Sequence, residues 1–514
     1  MALVSRRPVP RLAERLGATA YDATDPELHV RLTAAGPHSL IVDLGSPGGL
    51  TRRFDLLAYH LAPGGRLAMR LPKKARARKR LIRRVRRVRR LQESGAVTPP
   101  VFGQDERRPR ARHLAALACS LTELRREGRL VLAVNTVKTL ARLTEAETDR
   151  WLALRQGPDR VLETLPAVRF DSRCELHTAP ADVLPAPAAF DVPALSLRQF
   201  HHAVCRGRQA VETEDVVLPA SFRHHTKKRP PQVRYADWSP RFLRAPDSEP
   251  AELGGSYFLI DNYFRGHFGH VLTEVVGLLW GWDRARAHDP DIRPLTFANE
   301  KSADLHGWER ELLAAYGLTD IEVAPNRATR VERLVTATPM FVQQPSYAHP
   351  DITEVYDRIG STLAARASRQ QWPERIFCSR DDGHRACRNG DEVEAWFTDA
   401  GFTVVRPEQH PIADQVAMFR AADVIAGYSG SGMFQTAFTG TPRHVITVAP
   451  QSYVALNEYL IASVVGHRLD RIYCRPDFAR DEDDPSTWRR AFNSNYYCDP
   501  DREGAYLREV LDAL

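Results

Sequence analysis

The chain has 514 residues, 43% hydrophobic and 26% charged, with a formal net charge of +8; at about 150 residues per domain this suggests some three domains with ample cores. No run reaches the roughly 18 consecutive apolar residues of a membrane span, and "MALVSRRPVPRLAERLG" has neither the apolar centre nor the cleavage site of a secretory signal, so the cytosol is the expected location. Seven cysteines without regular spacing exclude a disulfide framework.

Residues near 40 to 70 read strand, helix, strand: "LIVDLG", "GLTRRFDLLAYHLAPGG" and "RLAMRL". The words "VDLG" and "LAPGGRLAM" resemble pieces of S-adenosylmethionine-dependent methyltransferases, in which a Pro-Gly-Gly turn precedes a central strand. Only about a dozen residues separate the two words, so "VDLG" matches the fourth strand of such a sheet and the cofactor-binding first half has no room in residues 1 to 38. Residues 1 to 160 are therefore expected to form a truncated methyltransferase-like α/β module without methyl-transfer chemistry. Asp43, Gly45, Gly48 and Gly49 read as plain turn and strand-end residues.

Inside that module the run "KKARARKRLIRRVRRVRR", Lys73 to Arg90, holds 12 cationic residues and no acid. Without it the net charge would be −4, so the basic character is local. Leu81, Ile82, Val85, Val88 and Leu91 recur at helical spacing, giving a cationic helix with a narrow apolar stripe. Such a helix suits an anionic membrane surface, through residues 73–91, or an acidic polymer; equally, its stripe can pack on its own domain. No interleaved aromatics accompany the arginines, so no nucleic acid is expected as a partner. Arginine outnumbers lysine 65 to 7, which reads as the coding bias of a GC-rich bacterial genome.

Residues 161–253 are rich in proline and arginine, with "LPAPAAFDVPAL" and "HTKKRPPQVRYADWSPRF", and read as a linker with irregular strands. From 254 the pattern alternates: "SYFLIDNYF" as strand, "HVLTEVVGLLWGWDRARAH" as helix, "RLVTATPMFV" as strand, "DITEVYDRIGSTLAARAS" as helix. The last third continues with "RIFCS", "DEVEAWFTDAG" ending at Gly401, "FTVVRP", "PIADQVAMFRAA" opened by Pro411, "DVIAG", a glycine loop, a helix from Met433, "HVITVA" and "YVALNEYLIASVVG". Strict βα alternation with short connections predicts a parallel sheet covered on both faces, with ligands at its carboxyl edge. Cys378, His384 and Cys387, like His201, His202 and Cys205, lack paired CxxC spacing, so no metal is expected. Asp289-Pro-Asp291 follows "RARAH" rather than an apolar strand and reads as a loop.

The glycine loop in "IAGYSGSGMFQTAFTG" follows a strand and opens a helix. Unpaired amides at a helix start attract anions, glycines let a phosphate approach the backbone, and Ser429 and Ser431 add hydroxyl donors. The same pattern serves a tight turn, in which Gly430 and Gly432 only permit close packing. Residues 375–450 resemble glycosyltransferase family 61, also described as capsular polysaccharide biosynthesis proteins: an arginine after the first strand, an R-x-x-x-N-E-x-E element, G-F-x-V-V-x-P-E, a helix glutamine, and A-D-x-(V/I)-x-G before a glycine-rich loop. Arg380, Arg385 with Asn389 and Glu392, Gly401 to Glu408, Gln415, and Ala422 to Gly427 stand at those positions. Upstream, "GHFGHVLTE" resembles the family's G-N-Y-x-H-x-x-x-E element and places His270 and Glu274 on its His and Glu. Two departures accompany the match, which covers roughly 254 to 465: Ser-Gly-Ser-Gly where many members have His-Gly-Ala-Gly, and Thr447 where many have a glutamate.

The resemblance implies an α/β fold: a GT-B-like pair of Rossmann-type lobes, 254–370 for acceptor and 371–514 for donor, preceded by the smaller methyltransferase-like domain. It implies inverting, metal-independent transfer from a nucleotide-sugar, UDP-linked by expectation, to a glycan or lipid-linked acceptor in bacterial cell-surface polysaccharide synthesis, without a cofactor. His270 would be the base and Glu274 its orienting partner, with Asp261 and His267 in reserve. Arg380, Arg385, Ser429, Gly430, Ser431 and Gly432 would hold the donor diphosphate, supported by Asn389, Glu408 and Gln415. The bland alternatives are an exposed polar pair for His270 and Glu274, and pairing of Arg380 and Arg385 with Asp381 and Asp382. An inactive scaffold on this fold is the second reading, a methyltransferase acting through residues 1–160 a third.

Overall fold

The computed structural model describes residues 1–514 except 47, 96–108, 181–184, 214–215, 223–248, 300–301, 369–370, 381–382, 482–483 and 485–486. The proline-rich stretch "HTKKRPPQVRYADWSPRF" and the pair Asp381 and Asp382 lie outside the described residues. The chain divides into two compact units. One comprises Met1–Glu163, Ser196–Tyr263 and Ala324–Thr338, and the other Thr164–Leu195, Phe264–Val323 and Pro339–Leu514. The boundary expected at 370/371 therefore falls inside the second unit. Residues 161–253 are also not a mere linker, because Glu175–Ala179 and Leu195–Arg206 are integral sheet strands.

In the first unit a six-stranded sheet has the order Thr19–Asp22, Ala2–Ser5, His38–Asp43, Leu61–Arg70, Leu130–Asn135, Leu121–Glu127. The first four strands are parallel and the last two form an antiparallel hairpin. The strand, helix and strand expected near 40–70 are His38–Asp43, Leu50–Ala58 and Leu61–Arg70. Residues 1–38 supply two strands of this sheet, Ala2–Ser5 and Thr19–Asp22. Even four-residue strands are stabilised when pairing and burial are shared: Ala2, Leu3 and Val4 are fully buried.

Asp43 is tied into the turn that follows its strand. Arg53 donates to the Asp43 carboxylate at 2.6 Å, both groups being buried, and Gly45 N–H donates to Asp43 at 2.7 Å. Gly45 has φ 88° and Gly49, at the start of the helix Leu50–Ala58, has φ 61°, conformations that favour glycine. A second sheet of this unit runs from Ala251–Leu259 through Thr329–Ala337 and Leu195–Arg206 to short strands at Ala210–Glu212, Val216–Val217 and Ala141–Arg142.

The cationic run forms the helix Ala75–Glu93. Its apolar stripe is committed inward: Leu81, Val85 and Val88 are buried in the core cluster with Phe54, Leu117 and Leu121, and Ile82 and Leu91 pack against that cluster. The stripe is thus unavailable to a bilayer, and only the cationic face meets solvent.

The second unit is built on a parallel sheet of order Glu175–Ala179, Arg468–Pro476, His444–Pro450, Val424–Tyr428, Arg375–Cys378, Thr403–Val405. The βα alternation expected for the last third is present, and its central strands are apolar on both faces, as covered parallel strands must be. Local signals place the helices. Gly390–Asp399 carries Asp391 and Glu392 in its first turn, where the helix dipole favours them. It stops in a Schellman motif: Gly401 has φ 84°, its N–H meets Thr398 O, Phe402 N–H meets Phe397 O at 3.0 Å, and the two phenyl rings pack 5.1 Å apart. The expected helix near 270–288 is continuous but uneven, its coil wider over Val271–Val275 and narrower over Val276–Gly281. Asp289 to Asp291 is a loop, with Asp291 N–H on the Asp289 carboxylate at 3.2 Å.

Candidate active site in the second unit

The strand order itself locates the site. Arg375–Cys378 has its successor in the chain, Thr403–Val405, on one side and Val424–Tyr428 on the other. Chain order reverses there, and at such a switch point the loops leaving the two carboxyl ends diverge and open a crevice where ligands bind. Ser379 and Arg380 leave one strand at that point, and the glycine loop leaves the other. A cavity of about 740 Å³ lies over them, its wall including Arg380, Arg385, Gly430, Ser431, Gly432 and Gln435.

The two arginines converge. A Cβ built on Gly430 would stand 3.4 Å from Arg385 Nη2 and 3.5 Å from Arg380 Nη1. Arg380 is fixed by donating to Ser429 O at 3.3 Å and to Arg385 O. Burial lowers its pKa from the usual arginine value, and the neighbouring charge of Arg385 adds to this. Arg385 has φ 62°, uncommon for a residue with a side chain. Its guanidinium lies over Tyr453 at 4.6 Å and Phe492 at 5.1 Å. Among the described residues neither guanidinium has a carboxylate within ion-pair distance, and the buried Nε of Arg385 has no acceptor. Two partly buried cations facing one loop, with no carboxylate in ion-pair range among the described residues, suit a site whose electrostatics an anion completes.

The glycine loop is more specialised than a uniform cradle. Gly430, at φ 153° and ψ −169°, adopts a conformation essentially restricted to glycine. Its N–H is already used, donating at 3.0 Å to Glu458 Oε1, which also accepts from the Tyr453 hydroxyl at 3.3 Å. Burial raises the pKa of Glu458, against the pull of Arg471 and Arg385. Ser429 is buried and lies off the cavity wall among the described residues; its N–H donates to Val448 O. The amides left for a ligand are those of Ser431 and Gly432, which open a tight helical run, Ser431–Phe438, in place of the helix expected from Met433. Gln435 is fully buried on the wall, and its Oε1 has no donor among the described residues, so the cavity also offers an orphaned acceptor.

The glycines divide into two classes with different consequences. A Cβ at Gly427 would meet Cys378 O at 2.7 Å and Met433 Sδ at 2.8 Å, whereas one at Gly432 meets nothing within 4 Å and φ there is unexceptional. Packing explains Gly427, and neither packing nor backbone strain explains Gly432. Gly427→Ala is expected to cost about 1–3 kcal/mol through overpacking. Gly432→Val is expected to change stability by no more than about 0.5 kcal/mol and to weaken ligand binding about tenfold or more. Chemical denaturation and calorimetric titration of the two variants check the contrast.

The other expected residues are distributed as follows. Glu408, in the turn Pro407–Gln409, and Gln415, whose amide donates to His410 O at 2.8 Å, both line the cavity. Asn389 does not; it clamps the chain near the C-terminus, donating to Cys498 O at 2.8 Å and accepting from Cys498 N–H at 3.0 Å, beside a smaller polar cavity of about 300 Å³. His270 Nδ1 and Glu274 Oε1 are 2.8 Å apart, with Phe264 stacked on the imidazole at 4.5 Å and His267 at 4.6 Å. Neither His270 nor Glu274 is among the described lining residues. Their turn nevertheless abuts the loop, since Phe268 lines the cavity and a Cβ on Gly269 would stand 2.7 Å from Ser431 Cβ. Asp261 lies in the other unit, accepting from Gln209 N–H at 2.6 Å. Among the described residues no group of three or more His, Cys, Asp or Glu is placed to hold a metal, and burial raises the thiols of Cys378 and Cys205.

Sequence reasoning missed a second wall. Phe268 and Trp308 meet edge to face at 5.1 Å, and with Glu311 they line the cavity from the helix Gly307–Tyr316 and the turn before His270. Tyr453 and Glu458, which hold the loop and Arg385, were also missed. The signal for Glu458 was an acid immediately before the largely apolar run "YLIASVV".

None of the curated proteins matches the chain. Residues 268–446, which contain both the His270 turn and the glycine loop, match the model of the family described as Glycosyltransferase 61, and this similarity supports a glycosyltransferase.

Proposed function

We propose that the chain transfers a sugar from a nucleotide-sugar donor, UDP-linked by preference, to a glycan or lipid-linked acceptor of the bacterial cell surface, with inversion at the anomeric carbon. The observation that carries this reading is the convergence of Arg380 and Arg385 on the glycine loop at the switch-point crevice. In an inverting displacement the acceptor oxygen attacks the anomeric carbon as the bond to the diphosphate breaks, so negative charge grows on the leaving group. Two planar guanidinium donors and the amides of Ser431 and Gly432 would stabilise that charge in place of a metal. Gly432 leaves the approach to the backbone open. His270 would take the acceptor proton, held in one tautomer by Glu274: with the Glu274 carboxylate on Nδ1–H, Nε2 is the basic nitrogen.

The position of His270 off the described cavity wall favours a second reading, an inactive scaffold that binds donor without turning it over. The two separate in an assay of nucleoside diphosphate release from a panel of UDP- and GDP-sugars with glycan acceptors. Release by the wild type, lowered about 100-fold or more in His270→Gln, is expected for the enzyme. Nucleotide binding without release from any donor would favour the scaffold.

A further inference from the structure

The exposed face of the helix Ala75–Glu93 lies outside the transfer site, in the first unit. Ten of the twelve cations between Lys73 and Arg90 are exposed, all but Arg78 and Arg84. Arg84 is held by Asp55 in a two-pronged pair at 3.1 and 2.7 Å, and the only acid of the helix, Glu93, pairs with Arg89 at 3.2 Å. Further exposed cations lie at the end of the strand Leu61–Arg70, which precedes the helix. The hairpin tip Gly128 to Leu130 is tied to it by Leu71 N–H on Arg129 O at 2.7 Å and by Arg129 Nη2 on Leu71 O at 3.0 Å. Arg70, Arg126 and Arg129 are exposed there, while the exposed acids Glu123 and Glu127 of the same hairpin are paired with Arg125 at 3.0 and 2.7 Å; Leu130, which faces Glu127 across the hairpin, is 41% exposed.

We infer that this surface, the outer face of the helix with the Leu130 tip, binds an anionic lipid surface by contact with its headgroups. Charge complementarity selects an anionic partner. The apolar tip beside exposed arginines favours a lipid interface over a nucleic acid or an acidic glycan, because an exposed leucine gains from the interfacial region of a bilayer and finds nothing apolar on a polyanion chain. Burial of Leu81, Val85 and Val88 sets the mode: the helix lies on the headgroups and does not enter the acyl region. Binding of this kind is weakened by salt, unlike binding through a buried apolar face. The inference is independent of the transfer reading.

The test is co-sedimentation of the full chain with vesicles of phosphatidylcholine alone and of phosphatidylcholine with about one third phosphatidylglycerol. At about 0.1 M salt, at least about tenfold more protein is expected on the anionic vesicles, most of it released at about 1 M. Arg80→Glu with Arg83→Glu and Arg87→Glu, reversals on one exposed helix face, are expected to abolish the difference without changing the melting temperature. Leu130→Ser is expected to lower vesicle binding and leave retention on a heparin column unchanged. Equal recovery on both vesicle types, binding that survives high salt, or heparin retention with no vesicle binding would each overturn the inference, the last in favour of a polyanion.

Discussion

Replacing Arg380 with alanine is expected to lower kcat/KM for sugar transfer by about 100- to 1000-fold, the loss found when one preorganised charge-stabilising donor is removed, about 3–4 kcal/mol. The change removes the bonds to Ser429 O and Arg385 O, at a cost to the fold of about 1–3 kcal/mol, but breaks no ion pair among the described residues. Arg380→Lys is expected to recover only part of the loss, since an ammonium supplies charge without the planar fork. The informative comparison is with the free protein: a melting temperature within a few degrees of wild type, together with the kinetic loss, separates a role on ligand from a role in packing. A melting temperature that collapses with Arg380→Ala would instead make the arginine a strut of the loop.

Acidification is expected to destabilise the second unit through His467. This imidazole is 1% exposed, accepts from Arg443 N–H on Nδ1 at 2.9 Å and faces Thr436 O with Nε2 at 3.1 Å, so the neutral Nε2–H tautomer satisfies both partners. Protonating Nδ1 would set a donor against a donor, and burial lowers the pKa to about 4 from 6.5. The folded value lies below the unfolded one, so the unfolded chain binds the extra proton. Stability is therefore complete above pH 6.5 and falls as pH drops toward 4, by about 3 kcal/mol from this residue. His60 and His38 in the first unit and His349 in the second are shifted the same way by burial, so unfolding midpoints should fall in both units over the same range. Because Thr436 lies in the run Ser431–Phe438, ligand affinity should weaken with stability. Urea unfolding at pH 7.5 and 4.5 tests this; a His467→Gln variant with an undiminished pH dependence would contradict the assignment.

Much of the switch-point crevice was legible because its signals are local. βα alternation with Gly401 and Pro411 at helix ends marks the parallel strands, and a glycine-rich turn after an apolar strand marks the carboxyl edge. Less legible were features made by distant segments meeting. Nothing near Gly430 announces that Glu458 takes its N–H, and nothing in residues 300–320 announces that Trp308 faces the same cavity. The cationic helix shows the limit of periodicity: spacing revealed an apolar stripe, but only the packing of Leu81, Val85 and Val88 showed that the stripe faces the core. In residues 161–253 proline enrichment suggested only irregular strands and hid the register of Glu175–Ala179, whose partner, Arg468–Pro476, lies nearly 300 residues away.

The claim that the switch-point crevice binds a nucleoside diphosphate through Arg380 and the open face of Gly432 is tested most directly by thermal shifts of the purified chain. UDP, GDP, UDP-sugars and S-adenosylmethionine would each be compared across wild type, Arg380→Ala and Gly432→Val. A ligand that binds only the folded state raises the melting temperature, by an amount corresponding to about 2.7 kcal/mol at a hundredfold excess over Kd. Stabilisation of the wild type by a nucleoside diphosphate and of neither variant is the expected result. No shift with any nucleotide in a chain that melts cooperatively, or a shift that survives both substitutions, would contradict it.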